Sequence, residues 1–185
     1  MPTITHISQL DPKGNHTYAD YLTWQFDERV ELIKGKLSML SSMPGERHQR
    51  ILTELGVRIG YHFKKQSSYT YFAPFDVRLV KNKTSDDQIV KVVQPDICVI
   101  CNKDKIDARG CIGAPDWIIE ISSPSTAKKD LNEKYNLYEE NGVREYWVVL
   151  PEANVINQYV LQDGVYVYID AYFKAQTIIP SISRI

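Results

Sequence analysis

Two apolar, strand-like runs at residues 114–122 and 143–151 are separated by a segment with helix signals. Pro124 and Ser125 suit a helix entry, and Gly142 suits a helix end. A helix between two strands of one sheet is a crossover, which makes the strands parallel neighbours. The chain is therefore predicted to be α/β or α+β, with one mixed sheet flanked by helices.

The remaining segments supply elements on either side of this unit. Apolar spacing, turn residues and cap residues decide each assignment. In chain order they predict a short helix at 16–26 with Thr17 as its N-cap, a hairpin at 29–40, a long helix at 44–65, strands at 73–80 and 92–101, and a C-terminal hairpin turning at residues 162–164. We expect one domain over residues 1–185, with an N-terminal helix and hairpin added to a core at about 46–150.

The bulk properties limit the cellular setting. The 185 residues include no apolar stretch long enough to cross a membrane, and the N-terminus lacks a secretory signal. The three cysteines are an odd number without disulfide spacing, which favours the cytoplasm. A net charge of −1 argues mildly against stable nucleic-acid binding, because phosphate-binding proteins usually carry a basic surplus.

Two acids interrupt runs that otherwise read as buried strands. Asp96 lies in VQPDICVI and Glu120 lies in PDWIIEIS. Alternation along a strand turns Ile119 and Ile121 away from Glu120, so each acid can point to a common side. If the two strands pair, the carboxylates approach and repel each other unless a cation lies between them. Oxygen ligands of this kind suit a divalent metal ion.

Plain structural explanations compete with a metal site. Asp96 could cap a turn, and Glu120 could pair with Arg78 or Lys91. The following helix places three polar side chains four residues apart, namely Asp130, Lys134 and Tyr138. Lys134 could reach back over the strand acids, or it could form an ordinary exposed pair with Asp130.

Several short blocks, in order, resemble the PD-(D/E)XK nuclease superfamily and, within it, the Uma-type restriction endonuclease-like family. The matching blocks, over roughly residues 18–160, are VELIKGKL, Pro44 with His48, DVRL at 76–79, VQPDICVI, IIEISSPST, then Asp130, Lys134 and Tyr138, and GVREYWVVLP. Ordered blocks are more specific than any single motif. The resemblance implies a restriction-endonuclease-like core and a metal-dependent enzyme that cleaves DNA.

The resemblance also implies a catalytic set. Asp96 and Glu120 would hold Mg²⁺, for which Mn²⁺ could substitute, and the backbone carbonyl of Ile121 would add a third ligand. The superfamily places a lysine two residues after the second acid, where this chain has Ser122. In the Uma type the lysine comes from the next helix, which corresponds to Lys134. Lys128 and Lys129 are nearer in sequence and compete for this role.

Four further residues occupy positions from which they could assist metal binding or catalysis. Glu31 is an acid in an apolar alternation and is a candidate auxiliary ligand, a lysine partner or a solvated strand residue. His48 could contact phosphate or cap a helix, and Asp130 and Tyr138 complete the auxiliary set. Relatives commonly cut both DNA strands as homodimers, so we expect a homodimer. The competing hypothesis is a degenerate member that keeps the fold and binds nucleic acid without cutting it.

Overall fold

The computed structural model describes residues 3–40, 44–64, 66–82, 84–173 and 180–181. Within this part of the chain the longer elements are three α-helices, one π-helical segment and twelve strands. The helices are α1 (Tyr18–Tyr21), α2 (Glu46–Phe63) and α3 (Tyr135–Asn141), with the π-helical segment Lys129–Lys134 leading directly into α3. Three 3₁₀ turns cover Ile7–Gln9, Asp86–Gln88 and Lys103–Lys105.

The strands are short except at the C-terminal hairpin. They are β1 (Val30–Ile33), β2 (Lys36–Met39), β3 (Tyr69–Phe72), β4 (Val77–Arg78), β5 (Val92–Val93), β6 (Ile97–Ile100), β7 (Ile106–Asp107), β8 (Gly110–Ile112), β9 (Trp117–Ile121), β10 (Glu145–Leu150), β11 (Val155–Gln162) and β12 (Val165–Phe173). In the described residues they form two mixed sheets of six, in the orders β2-β1-β5-β4-β8-β7 and β12-β11-β10-β9-β6-β3. The predicted mixed α+β class is confirmed, with two sheets where the sequence predicted one.

The second sheet contains the predicted crossover. β9 and β10 are parallel and are joined through the π-helical segment and α3, as the strand–helix–strand pattern requires. Gly142 ends α3 in the left-handed conformation, at φ +82°, where glycine is favoured. On the other side of β9, β6 runs antiparallel with Ile97 opposite Ile119. This register brings Asp96, immediately before β6, next to the end of β9 that carries Glu120.

The run at residues 92–101 is a correction to the sequence prediction. It forms two strands, because β5 pairs in the first sheet and β6 pairs in the second. Pro95 stands between them and has no N–H to give to a ladder, so the chain leaves one sheet and enters the other there. The predicted strand at 73–80 is likewise reduced to the two residues of β4.

The predicted N-terminal hairpin and long helix are confirmed, whereas the short helix predicted at 16–26 is limited to Tyr18–Tyr21. The Thr17 side chain accepts a hydrogen bond from the backbone N–H of Asp20 and caps α1. The hairpin turns at Lys34 and Gly35, both with positive φ, and α2 occupies the predicted long helix. Residue 65, the last of that predicted helix, lies outside the described residues.

The second sheet is covered on both faces. Trp117, Ile119 and Ile121 pack with Ile59 and Phe63 of α2 on one face. Ile118 of the other face packs in a cluster that includes α3 residues and first-sheet residues such as Val77 and Val93. Since side chains alternate along a strand, Glu120 faces α3 and the first sheet. The candidate residues therefore lie where the two sheets and the crossover helix meet.

Candidate active site

Glu120 is buried at the end of β9, with 4% of its surface exposed. One oxygen, Oε1, accepts two hydrogen bonds, from Lys134 Nζ at 2.8 Å and from Tyr138 Oη at 2.6 Å. Both donors come from the crossover helix, four residues apart. The chain thus holds this carboxyl in one orientation against the helix that follows its own strand.

Asp96 approaches the same strand end from the turn before β6. Its Oδ2 accepts a hydrogen bond from the backbone N–H of Ile121 at 2.7 Å and lies 3.3 Å from His48 Nε2. The hydrogen bond to Asp96 raises the pKa of His48 above its usual value, and burial opposes this shift only in part. His48, in the first turn of α2, is therefore a neighbour of Asp96 and lines the same cleft.

Glu31 is fully buried on β1 and comes from the other sheet. Its Oε1 accepts from the backbone N–H of Gln94 at 3.0 Å and lies 2.9 Å from Lys134 Nζ, while its Oε2 lies 2.7 Å from Lys129 Nζ. Burial alone would raise the pKa of Glu31, but the charges of Lys134 and Lys129 outweigh it and lower the pKa to about 2. Glu31 is accordingly an ionised partner of two lysines.

Lys134 joins Glu31 and Glu120 through a single ammonium group, with its side chain 3% exposed. Burial acts to lower its pKa, but Glu120, Glu31 and Asp130 outweigh burial and raise it, so Lys134 is a cation at neutral pH. Of the three candidate lysines, Lys134 and Lys129 converge on Glu31, whereas Lys128 is exposed.

Asp130 is also buried and accepts a hydrogen bond from Ser122 Oγ at 2.8 Å. Burial raises its pKa, while Lys134 and the bond from Ser122 oppose the rise. The alternative of an exposed Asp130–Lys134 surface pair is therefore wrong. Ser122, at the position where the superfamily carries its lysine, instead fixes the acid at the start of the helical segment.

The pKa of Glu120 is raised, whereas that of Glu31 is lowered. Burial raises its pKa to about 8 even though Lys134 opposes the shift, and Asp130, Asp96 and Glu31 raise it further. Glu31 differs because it has a second lysine and a backbone N–H of its own. The four carboxyls thus outnumber the two lysines, and the deficit of positive charge falls on Glu120.

The structural partners proposed for Glu120 from sequence lie elsewhere. Arg78 pairs with Asp107, and Lys91 donates to Asn141. Asp76, the first residue of the DVRL block, accepts hydrogen bonds from Tyr18, Tyr21 and Gln94. None of these ion-pair alternatives is present among the described residues.

A cleft of about 250 Å³ opens over these groups. Its wall includes Asp96, Glu120, Ile121, His48, Lys129 and Lys134. Within the described ranges, no three His, Cys, Asp or Glu side chains converge as a ready-made metal cage. The candidate ligands on the cleft wall are the carboxylates of Asp96 and Glu120 and the backbone of Ile121. This small set suits Mg²⁺, since that ion keeps several waters and binds proteins through one or two carboxylates. The raised pKa of Glu120 also fits a metal ion, because the nearby lysines do not supply enough positive charge to keep this carboxyl ionised.

Gln94 and Arg29 belong to this region but were not singled out from sequence. Gln94 accepts from Arg29 Nε and Nη2, at 3.0 and 2.8 Å, and its backbone N–H donates to Glu31. Both residues line the cleft. The only available signal was the position of Gln94 two residues before Asp96.

Comparisons with known proteins agree with this architecture. The structure is similar to the crystal structure of "a putative nuclease belonging to DUF820" from Anabaena variabilis, with a TM-score of 0.68, 21% sequence identity and 91% of each chain covered. A search of curated proteins found no match. In the described part of the chain, no helix has the length and apolar character needed to cross a membrane. The model of the Uma2 family, described as "Putative restriction endonuclease", matches residues 18–182, and the chain therefore belongs to the Uma2 family.

Proposed function

We propose that this protein is a divalent-metal-dependent endonuclease that hydrolyses phosphodiester bonds of DNA. The observation that carries the proposal is the pair of acids, Asp96 and Glu120, on the wall of one cleft with Lys134 held against Glu120. Membership of the Uma2 family and the likeness to a nuclease fold support the reaction class.

Asp96 and Glu120, with the backbone carbonyl of Ile121, would hold Mg²⁺, and Mn²⁺ would substitute for it. Such an ion acidifies a bound water and neutralises phosphate charge when it is present. The Ile121 N–H and His48 hold Asp96 in place, while Tyr138 holds Glu120. These contacts fix the two acids before any ligand arrives.

Lys134 acts in this proposal as a cation and not as a base. Two carboxylates hold its proton, since they raise its pKa against the effect of burial. A positive ammonium group beside the cleft can orient a water or stabilise negative charge that develops on the phosphate. The oriented donor requires no reorganisation during the reaction, because Glu31 and Glu120 already fix it.

Two observations favour the second candidate, a degenerate member that binds nucleic acid without cutting it. Lys134 is already engaged by two carboxylates, and Ser122 replaces the lysine of the superfamily pattern. In that case the ion-pair network would serve only to stabilise the fold. The two candidates differ in whether Asp96 and Glu120 bind metal and whether DNA is cut.

We also propose a homodimer in the cytoplasm. A two-fold dimer would present two equivalent sites, one for each strand of a duplex. The three cysteines are unpaired thiols in the structure, which suits a reducing compartment. Light scattering coupled to size exclusion tests the dimer directly.

Plasmid cleavage tests the proposal. Supercoiled plasmid is incubated with the protein in Mg²⁺, in Mn²⁺ and in EDTA, beside Asp96→Asn, Glu120→Gln and the exposed-residue control Glu54→Gln. We expect metal-dependent nicking or linearisation by wild type and by Glu54→Gln, and loss of it in both site variants. Cleavage that persists in Glu120→Gln contradicts the assignment, and metal binding without any cleavage favours the degenerate candidate.

A further inference from the structure

Glu31 connects the first sheet to the crossover helix through hydrogen-bonded ion pairs. It comes from the N-terminal hairpin, whereas its partners Lys129 and Lys134 lie about one hundred residues further along the chain, at separations of 98 and 103 by residue number. Both of its oxygens are occupied, one by Lys129 and the other by Lys134 and the Gln94 N–H. Glu31 therefore serves the site through the lysines that it contacts.

The π-helical segment makes this double contact possible. In an α-helix, residues five apart point about 140° away from each other, so two lysines at that spacing could not meet one carboxylate from the same side. A π-helix closes its turn with i→i+5 hydrogen bonds and brings such residues onto one side. Lys129 and Lys134 are the first and last residues of the segment Lys129–Lys134. The π-helical geometry therefore allows both lysines to contact the same Glu31 carboxylate.

The two lysines face different surroundings. Both lysines line the cleft, but the Lys134 side chain is 3% exposed and also contacts Glu120, whereas the Lys129 side chain is 19% exposed and has Glu31 as its ion-pair partner. Lys129 pairs with one oxygen of Glu31, and an ammonium group has three N–H donors. As the more exposed of the two lysines, Lys129 can offer its remaining donors and its charge to an anion in the cleft.

We propose that Glu31 is a positioning residue that holds Lys129 at the cleft wall as a second phosphate-binding group, distinct from Lys134. The inference rests on the proposed function and assigns the ligand of Lys129 as a phosphate of the nucleic-acid backbone. Lys129 contributes to substrate binding, and Lys134 contributes to the chemical step. The Glu31 carboxylate serves both, because it holds both ammonium groups.

Binding and kinetics of four variants test this assignment. The variants are Lys129→Gln, Lys129→Arg, Glu31→Gln and the control Lys128→Gln, which removes a charge from the exposed neighbouring residue that is not on the cleft wall. Binding of a fluorescent 20-base-pair DNA duplex is measured by anisotropy in Ca²⁺ at several salt concentrations. Cleavage of the same duplex in Mg²⁺ gives kcat and KM, and thermal melting reports the folded state of each variant.

We expect Lys129→Gln to raise KM several-fold with little change in kcat, and to reduce the slope of log affinity against log salt by about 0.9, the value for one phosphate contact. Lys129→Arg should restore affinity, since arginine keeps the charge and also binds phosphate. Glu31→Gln should raise KM and lower kcat at least tenfold. Should Glu31→Gln not fold, the two Lys129 variants decide the matter.

The outcomes separate the inference from the function on which it rests. Wild-type protein that neither binds nor cuts the duplex overturns both. Wild-type protein that binds and cuts, with Lys129→Gln equal to Lys128→Gln in affinity, KM and salt slope, overturns the inference and leaves the nuclease proposal intact. A loss of melting temperature in Lys129→Gln without a change in salt slope assigns the Glu31–Lys129 pair to fold stability and also overturns the inference.

Discussion

Lys134 Nζ lies 2.8 Å from Glu120 Oε1 and 2.9 Å from Glu31 Oε1, so one buried cation joins acids from two different sheets. The two acids respond differently to it. Glu31 also has Lys129, and its pKa is lowered to about 2, whereas Glu120 has a pKa raised to about 8 by burial and by neighbouring carboxylates. This difference gives each acid its own measurable behaviour.

Glu120→Gln should remove a pH dependence of stability. The unfolded chain releases the Glu120 proton near pH 4.5 and the folded chain near pH 8, so the folded state holds more protons between these values. The contribution of Glu120 to the free energy of unfolding therefore falls as pH rises from about 4.5 to about 8. Urea denaturation in EDTA at pH 5, 6.5 and 8 should show a gentler fall for Glu120→Gln than for wild type.

The exposed Glu54→Gln variant is the matched control for this experiment, because it makes the same chemical change at a solvated position. Its stability should follow wild type at every pH. If Glu120→Gln also runs parallel to wild type from pH 5 to pH 8, the raised pKa of Glu120 is wrong.

Lys134→Ala should destabilise the protein strongly. The substitution leaves Glu31 and Glu120 buried without their shared cation, and removing one partner of a buried pair costs about 3–5 kcal/mol. We expect a loss near the lower end, about 3 kcal/mol, because Glu31 keeps Lys129 and Glu120 is already mostly protonated at pH 7. Urea denaturation at pH 7 gives the value.

Lys128→Ala provides the comparison for Lys134→Ala. Lys128 is exposed, and surface substitutions usually change stability by about 0.5 kcal/mol or less. Equal stabilities for the two alanine variants would mean that the Lys134 ion pairs contribute nothing to the folded state.

Local signals in the sequence predicted much of the fold. The hairpin at residues 29–40, α2, the parallel crossover and the Gly142 helix end all depend on spacing and turn chemistry within short segments. Strands β3, β7 and β8 were missed because they are only two to four residues long. Two sheets were not foreseen because the division occurs within one apolar run, at Pro95.

The sequence predicted only those site contacts that follow from local patterns and from the pairing of neighbouring strands. Strand alternation and pairing of neighbouring strands predict that Asp96 and Glu120 approach each other, and the structure places both on one cleft wall. The contact between Glu31 and Lys129 joins residues 98 apart. The contact also depends on the π-helical turn. With α-helical spacing, the Lys129 side chain would be predicted to point away from Lys134 and Glu31.

Asp96→Asn should weaken metal binding while it preserves the fold. The amide oxygen can still accept the Ile121 N–H that Asp96 Oδ2 accepts at 2.7 Å, but the negative charge is lost. We expect the affinity for Mn²⁺, measured by calorimetry at pH 8, to fall at least tenfold, which corresponds to about 1.4 kcal/mol. The melting temperature in EDTA should stay within a few degrees of wild type.

An Asp104→Asn variant controls for the general loss of one acid, since Asp104 is exposed in a 3₁₀ turn away from the cleft wall. Its Mn²⁺ affinity should equal that of wild type. Equal affinities for Asp96→Asn and Asp104→Asn would remove Asp96 from the metal site.

Mn²⁺ binding should release a proton and strengthen with pH. Glu120 has a pKa of about 8, so at pH 6 to 7 it carries a proton that a metal ion must displace. Affinity should therefore rise up to about tenfold per pH unit between pH 6 and pH 8 and level off above that. Calorimetry at pH 7 in buffers of different ionisation enthalpy should count close to one more proton released per ion for wild type than for Glu120→Gln, since any proton lost from His48 beside Asp96 is common to both. Affinity that is flat with pH, or equal proton release in wild type and Glu120→Gln, would show that Glu120 does not bind the ion.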